Sequence, residues 1–111
     1  MADGIRKYTV TESQNIVLGQ SGAAFVDTTG QYTPPSGTKI VAMTMLTDME
    51  FAELTPVSTD YHYGTTAAAP GTGGDTLASA DTFPKGVTIY GRWSTCTLQT
   101  GGDKVIIYFA P

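Results

Sequence analysis

The last 29 residues constrain this chain most. Two runs rich in β-branched and aromatic side chains, Val87 to Gln99 and Lys104 to Ala110, flank the turn Thr100-Gly101-Gly102-Asp103. Glycine supplies the positive φ a tight turn needs, and the flanking residues suit a pleated surface, so the segment predicts a C-terminal β-hairpin. A turn centred on Gly101-Gly102 would pair Leu98 with Val105, Cys96 with Ile107 and Ser94 with Phe109 on one face. The other face would carry Thr97 with Ile106, Thr95 with Tyr108, and Trp93 near Ala110. Cross-strand partners share a face, so both faces take a large apolar load. A sheet that covers only one side cannot satisfy that, and the second face needs another sheet, a loop or another subunit.

The rest of the chain reads as β as well. Ile5 to Thr11 alternates as a strand does, and Gln14 to Leu18 fits a second short one. Gly19 to Thr38 holds four glycines and Pro34-Pro35, with Phe25-Val26 and Tyr32 as isolated apolar anchors. It predicts two or three turns and one strand, the diproline forbidding a helix. Lys39 to Thr47 is the most apolar stretch and predicts a strand covered on both faces. Asp48 breaks it and Met49 to Leu54 returns. A helix over residues 40 to 54 is compatible with propensity, but two strands joined at Thr47-Asp48 fit the Thr and β-branched content better. Gly64 to Asp81 is nearly low-complexity, and loops of that length are usually functional or disordered. Leu77 is its one sizeable apolar residue.

A length of 111 residues with 41% hydrophobic, 14% charged, 13 Gly and 19 Thr fits a single β domain of short strands and many turns. The expected fold is all-β, a small sandwich or barrel with jelly-roll-like connections, comprising residues 1–111 with a loop-rich segment over 1–38. The net charge of −4 and scattered basic residues offer no footprint for nucleic acid. No apolar run reaches the length of a membrane span. The first ten residues lack the apolar centre of a signal peptide, so the expectation is synthesis in a cytoplasm.

Catalytic and metal motifs are not found. A single cysteine, Cys96, permits no internal disulfide and no Cys-based zinc site, and mid-strand it is expected to be an inert buried thiol. His62 lies between Tyr61 and Tyr63 without a nucleophile context such as GxSxG. Asp48, Glu50 and Glu53 are the closest acidic group but lack the alternating loop of a calcium site. PGTGGD has no GK[ST] and is not a phosphate loop. Tyr61, Tyr63, Tyr90, Trp93 and Tyr108 serve either core and interface packing or a carbohydrate-stacking platform. Arg92, between Gly91 and Trp93, sits either on the rim of the sheet or in a specific ion pair. The expectation is a protein that is not an enzyme and takes no cofactor or metal.

Two segments carry a resemblance. An apolar strand leads to a D-x-x-F-x-x-L-T turn, matched by Asp48, Phe51, Leu54 and Thr55. A variable segment precedes P-x-G-x-x-I-x-G-R-[WF], matched by Pro84, Gly86, Ile89, Gly91, Arg92 and Trp93, then a Thr-rich strand, a Gly turn and an apolar strand ending at Tyr108. This pattern resembles small virion structural proteins of tailed bacteriophages and covers about half of the chain. The resemblance implies a head decoration, or cement, protein that binds the major capsid protein on the outer surface of the virion, commonly as a homotrimer. The alternative it leaves is a tail- or head-fibre module that contacts a host receptor or glycan. Interface residues expected on that basis are Arg6, Lys7 and Tyr8 near the N-terminus, Leu77 in the long loop, and Arg92, Trp93, Ile106 and Tyr108 in the C-terminal strands.

Overall fold

A computed structural model of the chain describes residues 21–66 and 70–111. The strands expected at Ile5 to Thr11 and Gln14 to Leu18, and with them Arg6, Lys7 and Tyr8, lie outside the described residues. Within them the protein is all-β: β1 (Ala23–Val26), β2 (Lys39–Met45), β3 (Phe51–Pro56), β4 (Thr88–Leu98) and β5 (Val105–Ala110). They form one antiparallel sheet in the order β1-β5-β2-β4-β3. Residues 40 to 54 are two strands and a turn, as their β-branched content favours, and the helical alternative is excluded.

The C-terminal hairpin is where the structure departs from expectation. Both strands form, and Gly102 supplies the turn with a φ of 91°. They do not pair with each other, because β2 lies between them. Val105 and Ile107 face Met45 and Met43 of β2, while Cys96 and Leu98 face Leu54 and Phe51 of β3. Among the described strands only β3 and β4 are neighbours both in sequence and in the sheet. The all-β, sandwich-like architecture is present as a single interleaved five-stranded sheet.

The register requires the sheet to fold over itself. Trp93 pairs with Ile40 of β2 on one side and Pro56 of β3 on the other. Thus residues 88–93 of β4 belong to β2, and residues 93–98 to β3. In a flat sheet Leu98 would lie five residues beyond Ile40 (98 − 93), and Val105, opposite Met45, five residues the other way (45 − 40). Ten strand rises are about 33 Å, but the seven steps from Leu98 to Val105 reach at most about 25 Å. The distal half of β4 must therefore bend back, with β3, over the layer β1-β5-β2-β4. On its other side that half is held by a bridge between Cys96 and Tyr32, with N–H···O bonds of 2.8 and 3.2 Å.

Between the layers lies one core of Ile40, Met43, Met45, Met49, Phe51, Leu54, Trp93, Cys96, Leu98, Val105 and Ile107. Phe83 stacks edge-on against Phe51 with ring centroids 5.6 Å apart, and its backbone pairs with Met49. Leu77 anchors the long loop to this core, its N–H donating to Gly64 O at 2.8 Å. The free edge of β3 is covered in the same region. The Leu54 N–H donates to Thr65 Oγ1 at 2.9 Å, and the Thr65 N–H donates back to Leu54 O at 2.9 Å.

Candidate docking face

The ladder registers place two rows of side chains across the outward side of β1-β5-β2-β4. One row runs Phe25, Ile106, Thr44, Thr88, and the other Ala23, Tyr108, Ala42, Tyr90. Their inward neighbours Val105, Ile107, Met43 and Met45 fill the core, so the pleat sends these eight outward. None carries a charge. Phe25 is 56% exposed and Tyr90 55%, while Ile106 and Tyr108 are half-buried. Ala42 is fully buried although it faces outward, because a tyrosine flanks it on each neighbouring strand. The row's two hydroxyls satisfy each other, Thr44 Oγ1 and Thr88 Oγ1 lying 2.8 Å apart. Leu46, bonded through its N–H to Lys104 O at 2.9 Å, extends the apolar surface beyond β2 and is exposed. Apolar patches of a few hundred Å² occur on ordinary monomers and are often functional.

The β3–β4 layer has a different chemistry. Glu53 accepts hydrogen bonds from Thr55, from Thr95 Oγ1 at 2.7 Å, from Thr97 Oγ1 at 3.0 Å and from Gln31 Nε2 at 3.3 Å. Burial alone would raise its pKa. The hydrogen bonds from Thr55, Thr95, Gln31 and Thr97 outweigh burial and hold the carboxyl below the ordinary glutamate value. The result is a lattice of hydroxyls around one ionised group, tying β3, β4 and the segment before Tyr32 together.

The three acidic residues close in sequence part company in space. Asp48 accepts the Lys85 N–H at 2.8 Å and Glu50 the Thr82 hydroxyl at 2.9 Å, partners distinct from the Thr lattice that holds Glu53. Among the described residues no group of three or more His, Cys, Asp or Glu side chains is placed to hold a metal ion. Cys96 is buried, and burial, with the Glu53 charge adding to it, pushes its thiol up to about 12. Such a thiol is a core residue rather than a nucleophile.

The sequence-predicted site residues divide accordingly. Ile106 and Tyr108 lie on the uncharged face. Trp93 is wholly buried, its indole N–H donating to Tyr63 O at 2.9 Å and its ring meeting Tyr63 edge-on at 5.4 Å. Arg92 is partly exposed, with Nη1 3.5 Å from Pro111 O, a carbonyl partner. Leu77 is turned toward the core and half-buried. The five aromatic residues do not make one platform, since Trp93 and Tyr63 belong to the core side. Phe25, Tyr90, Ala23, Ala42, Thr44 and Thr88 complete the face and were not legible as site residues. Phe25, an apolar residue alone in a turn-rich segment, was the available signal.

No family model matches the chain, and neither a curated protein nor a solved structure is similar to it.

Proposed function

We propose that this chain is a structural protein of a tailed-phage virion, binding the outer surface of the capsid and stabilising it as a decoration protein. The observation that carries the proposal is the uncharged outward face of the sheet, with Phe25 and Tyr90 each more than half exposed. A domain whose sheet is apolar on both sides has one side for its core and another for a partner. The sequence pattern around Asp48–Thr55 and Pro84–Trp93 supplies the kind of partner, and the acidic balance suits an outer surface better than contact with packaged DNA. A homotrimer presents three such faces at once, and linked contacts multiply a weak single one. The mechanism is mass action: a protein that binds only the assembled shell stabilises the shell.

A quantitative gel of purified virions tests this. The chain should be present in many copies, in a fixed ratio to the major capsid protein. Stripped particles should lose their DNA at lower temperature and recover on adding the protein back. Absence from the virion removes the proposal.

A fibre module that binds host glycans is the second reading, favoured by Tyr61, which is 80% exposed in the turn after β3. Copy number separates the two, a fibre module occurring in few copies per particle.

A further inference from the structure

We infer that the outer edge of β1 is a docking site for an extended strand, and that its occupant is the chain's own residues 14–18, turned back over 19–22 to pair antiparallel. The inference goes beyond the decoration reading and holds whatever the domain binds. Three observations carry it. First, β1 ends the sheet among the described residues, and its outer edge can be defined group by group. The Phe109 N–H donates to Gly22 O at 3.1 Å, and Ala23 stands opposite Tyr108, so bonded pairs with β5 recur at Gly22, Ala24 and Val26. Ala23 and Phe25 therefore aim two N–H and two C=O groups away from β5, where no described residue meets them.

Second, this edge carries none of the devices that keep an open strand from pairing. β1 is Ala-Ala-Phe-Val, with no charge, no proline and no break in its register against β5. The other end of the sheet is treated differently, Thr65 bonding both backbone groups of Leu54 on β3. An uncharged row of backbone donors and acceptors selects an extended strand as its occupant. Third, the chain bends where it enters β1. Ser21 is a bend, and Gly22 has a φ of 134°, which glycine adopts readily and other residues do not. Four residues, Gly-Gln-Ser-Gly, then separate Leu18 from Ala23, a common hairpin loop length. With Leu18 opposite Ala23, Val17 falls opposite Ala24 and Ile16 opposite Phe25, so three consecutive apolar residues meet three others. Leu18 and Ile16 bring their backbone groups to those of Ala23 and Phe25. A tether of four residues gives this segment a high effective concentration, which favours it over a strand from a second copy.

Paired cysteines in the full chain test the strand and its register. Val17 and Ala24 form a non-bonded antiparallel pair, whose α-carbons lie about 4.5 Å apart and within disulfide reach. Val17→Cys with Ala24→Cys should therefore close an intrachain disulfide under mild oxidation. Ile16→Cys with Ala24→Cys should not, because those two side chains leave opposite faces. Native Cys96 is buried and stays silent in both variants. A disulfide between chains would give the edge to a second copy, and equal reaction of the two variants, or none in either, would mean no registered strand. Each of these overturns the inference. Hydrogen exchange supplies a readout that needs no oxidation. The Ala23 and Phe25 amides should be protected in the wild type, and exchange at the rate of an open chain would also overturn the assignment. Ile16→Pro removes the N–H that faces Phe25 O and should speed exchange at Phe25 roughly tenfold or more. The Met45 N–H, bonded to Val87 O at 3.0 Å, should exchange as before. None of these measurements uses a virion, so their failure and the failure of the decoration reading are distinguishable.

Discussion

Gly91 and Trp93 stand two residues apart on the same side of β4, and the indole of Trp93 occupies the space a side chain at Gly91 would need. A methyl group at Gly91 would lie 2.5 Å from Cζ2 and 2.7 Å from Cη2 of that ring. The ring cannot swing away cheaply, because its N–H is bonded to Tyr63 O and it forms a T-shaped pair with the Tyr63 ring. The G-R-W triplet is therefore one packing unit.

Gly91→Ala should accordingly destabilise the fold by about 1–3 kcal/mol, the usual cost of overpacking a filled core. The cause is the clash alone, since Gly91 is not among the residues with positive φ. Urea unfolding followed by fluorescence of the single tryptophan reads this directly. A loss below about 0.5 kcal/mol, typical of free surface sites, would show that the indole has room to move.

Glu53 should make stability pH-dependent on the acid side. Its pKa in the folded protein is lowered, so the unfolded chain takes up the proton first as pH falls. Its contribution is present above the ordinary glutamate value and is lost as pH drops through the lowered one. Glu53→Gln should therefore show a shallower loss of thermal stability on acidification than the wild type does. Parallel curves from neutral pH down to about pH 3, below the ordinary glutamate range, would mean that Glu53 is not the group responsible.

Cys96 should be chemically silent while the protein is folded. Burial and a thiol pushed up to about 12 leave almost no thiolate at pH 8. Labelling by an aromatic disulfide should track global unfolding and rise with urea in step with tryptophan fluorescence. Because the folded pKa is raised, the native state should also lose stability as pH climbs from the ordinary thiol value toward about 12. Rapid labelling in buffer would place the thiol at the surface.

Thr65→Val should expose the edge of β3. Thr65 Oγ1 accepts the Leu54 N–H and its own N–H returns to Leu54 O, so one residue stands in for a neighbouring strand. Valine removes the acceptor and leaves that N–H without its partner, a loss of about 1–3 kcal/mol. The variant should also aggregate more readily, because an unpaired edge templates further pairing. Thr65→Ser keeps the hydroxyl and should behave as wild type in light scattering. If valine and serine behave alike, the hydroxyl is not what closes the edge.

What local chemistry could determine, it did. The β-branched runs at 39–45, 88–98 and 105–110, the break at Asp48 and the glycine turn at 101–102 all appear as strands and turns where period-two alternation and turn residues place them. The two-sided load of β5 was equally legible, Val105 and Ile107 entering the core while Ile106 and Tyr108 lie on the neutral face, but the expected face of β4 divides: Trp93 is in the core, and Thr95 and Thr97 donate to Glu53. Strand partnership was not legible. Val105 and Ile107 suit Leu98 and Cys96 as well as they suit Met45 and Met43, since apolar side chains on a pleated face do not encode which neighbour they meet. Only the closed structure decides that β2 slides between β4 and β5, because that arrangement covers β2 on both sides and lets β4 bend at Trp93 over the core. The same closure brings Phe25, distant in sequence and isolated among turns, beside Ile106. The neutral face is thus a product of tertiary register: its residues come from four strands, and no local pattern joins them.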